Sequence, residues 1–77
     1  MNNATIFTTL EALFDVMDPR ANVNIFESKE NNKQDLLRST KLYNLLPDDL
    51  FMTVYGNYKV VGLSITLGVT SILIEEA

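Results

Sequence analysis

The chain has no cysteine, no histidine and no tryptophan, and only three glycines and two prolines in 77 residues. Without cysteine there is no disulfide and no thiolate metal site. Without histidine the commonest general base, the commonest transition-metal ligand and the usual near-neutral pH switch are all missing. Lysine and arginine are scarce as well: six stand against ten aspartates and glutamates, for a net charge of −4. That balance argues against a sequence-independent grip on nucleic acid, which needs clustered cations. A long apolar run is absent too. Val60 to Ile74 carries no charge but is interrupted by Ser64, Thr66, Thr70 and Ser71, and it falls short of the roughly 20 residues a bilayer demands. The opening MNNATIFTTLEALF lacks a basic segment followed by an apolar core, so no secretory signal is read there. The expectation is one small cytoplasmic domain with no membrane contact and no direct nucleic-acid binding.

Chemistry is equally thin. No serine sits in a GxSxG context, and Gly56, Gly62 and Gly68 form neither a P-loop nor a dinucleotide fingerprint. Asp15 with Asp18, Asp48 with Asp49, and Glu75 with Glu76 have no spacing that makes several oxygens converge on one cation. We therefore expect no enzyme, no cofactor and no metal.

The strongest structural signal is YKVVGLSITLGVTSILIEE, Tyr58 to Glu76. Its β-branched and aliphatic residues suit a β-hairpin. A type II′ turn at Gly68-Val69 would pair Leu67 with Thr70, Ile65 with Ile72 and Leu63 with Ile74. Leu63, Ile65, Leu67, Ile72 and Ile74 then form one apolar face. Upstream, Ile6, Leu10, Leu13, Phe14 and Met17 fall on one face of a helix, with Thr8 to Glu11 as a capping box, Thr5 as a rival start and Asp18-Pro19 as its end. This helix is expected to cover the apolar face of the hairpin.

Between them, Asn22 to Ser28 alternates like a strand, with Val23 and Ile25 inward and Phe26 outward. Ser28 to Gln34 is a polar turn in which Asn31 and Asn32 tolerate positive φ. Asp35 to Thr40 is a weaker second strand. A three-residue loop at Glu30 to Asn32 sets Ile25 against Leu37, which keeps one face apolar; a two-residue loop sets Ile25 against Arg38. KLYNLLPDDLFM reads as a helical linker starting at Pro47-Asp48-Asp49. The expected fold is α+β in two layers: a four-stranded antiparallel sheet, one N-terminal helix and a short connecting helix, in the order α-β-β-α-β-β.

For function, the linker stands out. Phe51, Met52, Tyr55 and Tyr58 gather beside Asp48 and Asp49, and aromatic residues and methionine are enriched at protein interfaces. These six are the candidate protein-binding residues. The competing assignment has Leu50, Phe51 and Val54 plugging the core. Lys29, Lys33, Arg38 and Lys41 concentrate most of the positive charge in one segment, a weak docking stripe or simply a solvated hairpin. Phe26, Leu73 and Val60 are expected on the uncovered sheet face, and the last hairpin has little to blunt an open edge. A homodimer through that hairpin is the second candidate partner.

In the pieces LEALFDVMDPRANVNIF, LLPDDLF and VVGLSITLGVTSILIEE the chain resembles small acidic accessory proteins encoded by phages and mobile elements of Gram-positive bacteria. Some of those resemble anti-CRISPR proteins, which bind and block a nuclease complex. The resemblance implies a non-enzymatic inhibitor that acts sterically, and it carries no catalytic motif.

Overall fold

The computed structural model describes residues 9–77. A four-stranded mixed sheet is backed on one face by two short helices and a 3-10 turn at Leu42–Asn44; a second 3-10 turn, Glu30–Asn32, joins the first two strands. Helix α1 spans Leu10–Phe14 and helix α2 spans Asp49–Tyr55. The strands are β1 (Asn22–Lys29), β2 (Lys33–Lys41), β3 (Lys59–Thr66) and β4 (Val69–Glu75). Their spatial order is β2-β1-β4-β3. The β1–β2 and β3–β4 pairs are antiparallel hairpins, while β1 and β4 run parallel.

The parallel pair corrects the expected all-antiparallel sheet, and the reason lies in the linker. Given the pairings, β2 and β3 point the same way at opposite edges of the sheet. Parallel strands need a long crossover, and residues 42–58, carrying α2, supply it. The second hairpin then enters with β4 inward. The burial pattern agrees: Ile72 and Ile74 of β4 are buried, whereas Leu63 and Ile65 of β3 are exposed.

Helix α1 is shorter than expected and is capped by Thr9, whose hydroxyl accepts from the Ala12 N–H at 3.2 Å. The expected caps Thr8 and Thr5, and the apolar position Ile6, lie outside the described residues. The first free donors of α1 find partners on the crossover: Leu10 N–H bonds the Tyr58 carbonyl and Glu11 N–H the Gly56 carbonyl, each at 2.9 Å. A helix this short has little stability alone; these bonds and the buried Leu10 and Phe14 hold it. At Asp18-Pro19-Arg20 the chain turns into β1. The Asp18 carboxylate accepts from the side chain and backbone N–H of Arg20, which holds its carboxyl below the ordinary value.

In the first hairpin, Asn31 and Asn32 adopt φ of 63° and 61°, as their side chains allow. The loop is Glu30–Asn32, so Lys29 pairs with Lys33 and Phe26 with Leu36. A bulge then intervenes, and Ile25 faces Arg38 rather than Leu37. The extra residue, Leu37, packs half-buried against the core. An inserted residue shifts the side-chain phase. Leu37 and Arg38 both serve the helical side as a result, and the chosen loop did not fix the register beyond it.

The second hairpin also departs from expectation. Its turn is Leu67-Gly68, not Gly68-Val69, with φ of 54° and 79°. Positive φ at both central positions is the type I′ turn, whose twist suits a hairpin. Thr66 therefore pairs with Val69, Ile65 with Thr70 and Leu63 with Ile72. A bulge at Val61 changes phase again, so that Val60 sits opposite Ile74 and both are buried. Gly62 lies opposite Leu73, and a Cβ there would stand 3.2 Å from the Leu73 Cβ.

The core is a single cluster. Val23, Ile25, Ile72, Ile74 and Val60 line the inner face of the sheet, against Leu10, Phe14, Leu42, Leu45 and Phe51 from the helical layer. Burial of each such side chain contributes roughly 1.5–3 kcal/mol before entropy is counted. Val60 thus belongs to the core and not to the uncovered face; Phe26 and Leu73 lie half-buried on the far face, as expected. Helix α1 shares its task with the crossover, and together they leave Leu63 and Ile65 uncovered.

Candidate protein-binding surface

The six residues singled out by sequence sit on and just after α2, and the helix divides them. Asp48 is its N-cap: the carboxylate accepts from the Phe51 N–H at 3.0 Å. Asp49 occupies the first turn and is exposed, where a negative charge suits the helix dipole. Pro47 precedes the cap instead of opening the helix.

Phe51 turns inward and is only 2% exposed. Tyr55, one turn on, packs against it with ring centres 5.1 Å apart. Tyr58 meets Tyr55 edge to face at 5.0 Å. Met52, Tyr55 and Tyr58 are half-buried against the core. Partial burial pushes the Tyr58 phenol above its ordinary value, with the negative charges of Glu27 and Glu76 acting in the same direction. The aromatics therefore form a ladder along the seam between helix and sheet. They do not form an exposed patch, and Phe51 has no surface to offer.

What α2 shows outward is different. Leu50 is 79% exposed and Val54 51% exposed, one helical turn apart, and Leu46 is also exposed just before the cap. Leu50 and Val54 stand four apart, the spacing of one helix face, while Leu46 lies in the turn that precedes the Asp48 cap. The spacing of Leu50 and Val54 is legible in the sequence; the structure departs from the competing assignment of Leu50, Phe51 and Val54 to the core, since of the three only Phe51 is buried. On a helix Leu50 and Phe51 are about 100° apart, and here Phe51 turns inward while Leu50 turns out. From Leu42 to Tyr58 the only charged residues are Asp48 and Asp49, so the charge that this segment itself contributes beside Leu50 and Val54 is negative.

Two of the four cations of the basic segment, Lys29 and Arg38, are engaged within the molecule. Lys29 lies 3.6 Å from both Glu27 and Asp35, and these carboxylates raise its pKa. The Arg38 guanidinium stands over the Phe51 ring. Among the described residues no three carboxylates gather as metal ligands, and no helix is long and apolar enough to cross a membrane. Comparison with protein-family models, curated proteins and solved structures finds no match to this chain.

Proposed function

We propose that the chain is a non-enzymatic protein-binding module that docks its partner through the outward face of α2. The observation that carries this reading is the exposed pair Leu50 and Val54 on a helix whose other face is locked into the core by Phe51, with Leu46 exposed in the turn just before it. Exposed apolar residues clustered on one element mark interaction sites more often than scattered ones do. Asp48 and Asp49 at its border favour a partner surface that is apolar at the centre and basic at the rim. Basic surfaces are what nucleic-acid-handling complexes present. The resemblance to phage accessory proteins therefore leads to a more specific form of the proposal: a steric inhibitor of such a host complex. The test is affinity capture with the wild type and with Leu50→Lys/Val54→Lys. A partner captured by the first and by a Leu63→Lys control, but lost with the double variant, supports the reading. Equal capture by all three rules out α2 as the docking face.

A second reading, self-association through the C-terminal hairpin, is favoured by a separate observation. Strand β3 is at the edge of the sheet, and its helix-side residues Leu63 and Ile65 are exposed. Sedimentation over a range of concentrations separates this reading from a monomeric binder.

A further inference from the structure

The edge of β3 is bounded at its start. Thr9 bridges Lys59, and beyond that point no strand among the described residues lies beside β3 on the side away from β4. The turn type decides which backbone groups are free there. In a two-residue hairpin the residues flanking the turn exchange both hydrogen bonds. Thr66 with Val69, Ser64 with Ser71 and Gly62 with Leu73 are then the bonded pairs. Leu63 and Ile65 must direct their N–H and C=O groups away from β4.

The side chains at these positions are apolar and open. Ile65 is 72% exposed and Leu67 97% exposed, and Val61 and Leu63 are exposed as well. No charge interrupts the chain from Val60 to Ile74. No lysine, proline or inward charge falls within that stretch, and the one bulge, at Val61, lies at the start of the edge and leaves Leu63 to Thr66 regular. Charge also separates this surface from the outward face of α2. A symmetric contact through α2 would set Asp48 and Asp49 near their own copies in a chain of net charge −4. The β3 edge brings no like charges together.

We infer that a second copy of this chain pairs with β3, antiparallel and about a two-fold axis passing beside Ser64. The inference rests on the self-association reading and gives it a geometry. Leu63 lies opposite Ile65 of the partner subunit, so the outward backbone groups meet as bonded pairs. Val61 lies opposite Leu67 of the partner subunit, so each exposed apolar residue meets another. Moving the axis to Leu63 would bring Leu67 against Lys59 and the Thr9 bridge. The axis at Ser64 leaves that bridge outside the paired stretch. The two four-stranded sheets join edge to edge, with both helical layers on one side, as a two-fold normal to the sheet requires.

The absence of cysteine makes the register directly testable. With the axis at Ser64, the two copies of that residue form a non-hydrogen-bonded pair with Cα atoms about 4.5 Å apart, within reach of a disulfide. Ser64→Cys is expected to give a covalent dimer under mild oxidation, while Thr53→Cys, exposed on α2, is not. Ile65→Lys sets like charges close together across the axis and is expected to weaken the dimer by on the order of tenfold or more, with an unchanged circular dichroism spectrum. Sedimentation as a monomer at every concentration overturns both the self-association reading and this geometry. A dimer that tolerates Ile65→Lys and does not cross-link through Ser64→Cys leaves self-association standing and removes β3 from it. Slow hydrogen exchange at Leu63 and Ile65 in a monomer also overturns the inference.

Discussion

The Arg38 guanidinium lies 5.2 Å from the centre of the Phe51 ring. This contact joins β2 to α2 across the helical side of the sheet, and it exists because of the bulge that places Arg38 opposite Ile25. Without the extra residue, Leu37 would hold that place and Arg38 would point to the far face. A cation over a phenyl ring at a solvent-facing site is worth about 0.5–1 kcal/mol. A double-mutant cycle with Arg38→Met and Phe51→Leu should return a coupling of that size. Met keeps the apolar stem, so lost packing does not enter. Independent, additive effects of the two substitutions would show that the ring and the guanidinium are merely neighbours.

How far the chain could be read in advance follows from this pair. Alternation placed Val23 and Ile25 inward, and the Asn31-Asn32 positions announced their positive φ; both are local signals. The bulges at Leu37 and Val61 are not local. Each is selected by what it places against the helical layer, Arg38 over Phe51 in one case and Val60 beside Ile74 in the other. The parallel β1–β4 pair is similarly a property of the crossover's path, which no strand's own residues encode. At the candidate surface, composition drew attention to aromatic residues that α2 turns toward the core, Phe51 above all, because aromatic content was weighed before helical phase.

The two faces of α2 should respond to substitution very differently. Phe51→Ala empties a site that is 2% exposed and is expected to cost about 3–5 kcal/mol. That approaches the whole stability of a domain this small, so the variant should be largely unfolded at room temperature. Leu50→Ala, one residue earlier, should change stability by no more than about 0.5 kcal/mol. Urea titrations followed by far-ultraviolet circular dichroism give both numbers. Comparable losses at the two positions would mean that Leu50 is buried in solution.

Leu67 offers a gain in stability. It holds φ of 54° at the first central position of the type I′ turn, where an L-residue other than glycine, asparagine or aspartate is strained by roughly 1 kcal/mol. It is also almost wholly exposed, so replacing it sacrifices no packing within the subunit. Leu67→Asn creates an Asn-Gly turn and should raise Tm by about 4–8 °C per kcal/mol recovered. The measurement belongs in the Ile65→Lys background, where association through β3 does not contribute. An unchanged or lowered Tm there would argue against the Leu67-Gly68 turn and for the Gly68-Val69 alternative.

Tyr58 supplies a pH signature for the seam between helix and sheet. Its phenol is held above the ordinary value of 10.0 first by burial, which disfavours the phenolate, and then by Glu27, Glu76 and Tyr55; Lys29 acts in the opposite direction. A folded-state pKa that is raised means that the native protein holds this proton more tightly than the unfolded chain. The associated stability is fully present below pH 10 and is lost as pH rises through the folded value. Tyr58 should therefore ionise above the ordinary tyrosine value in an ultraviolet phenolate titration, and Tyr58→Phe should remove that component. The same substitution should flatten the alkaline decline in stability, and Lys29→Met should move the Tyr58 titration still higher. If Tyr58 instead titrates at the ordinary value, with no change when Lys29 is replaced, its ring is solvated and the ladder from Phe51 through Tyr55 ends one residue short of the sheet.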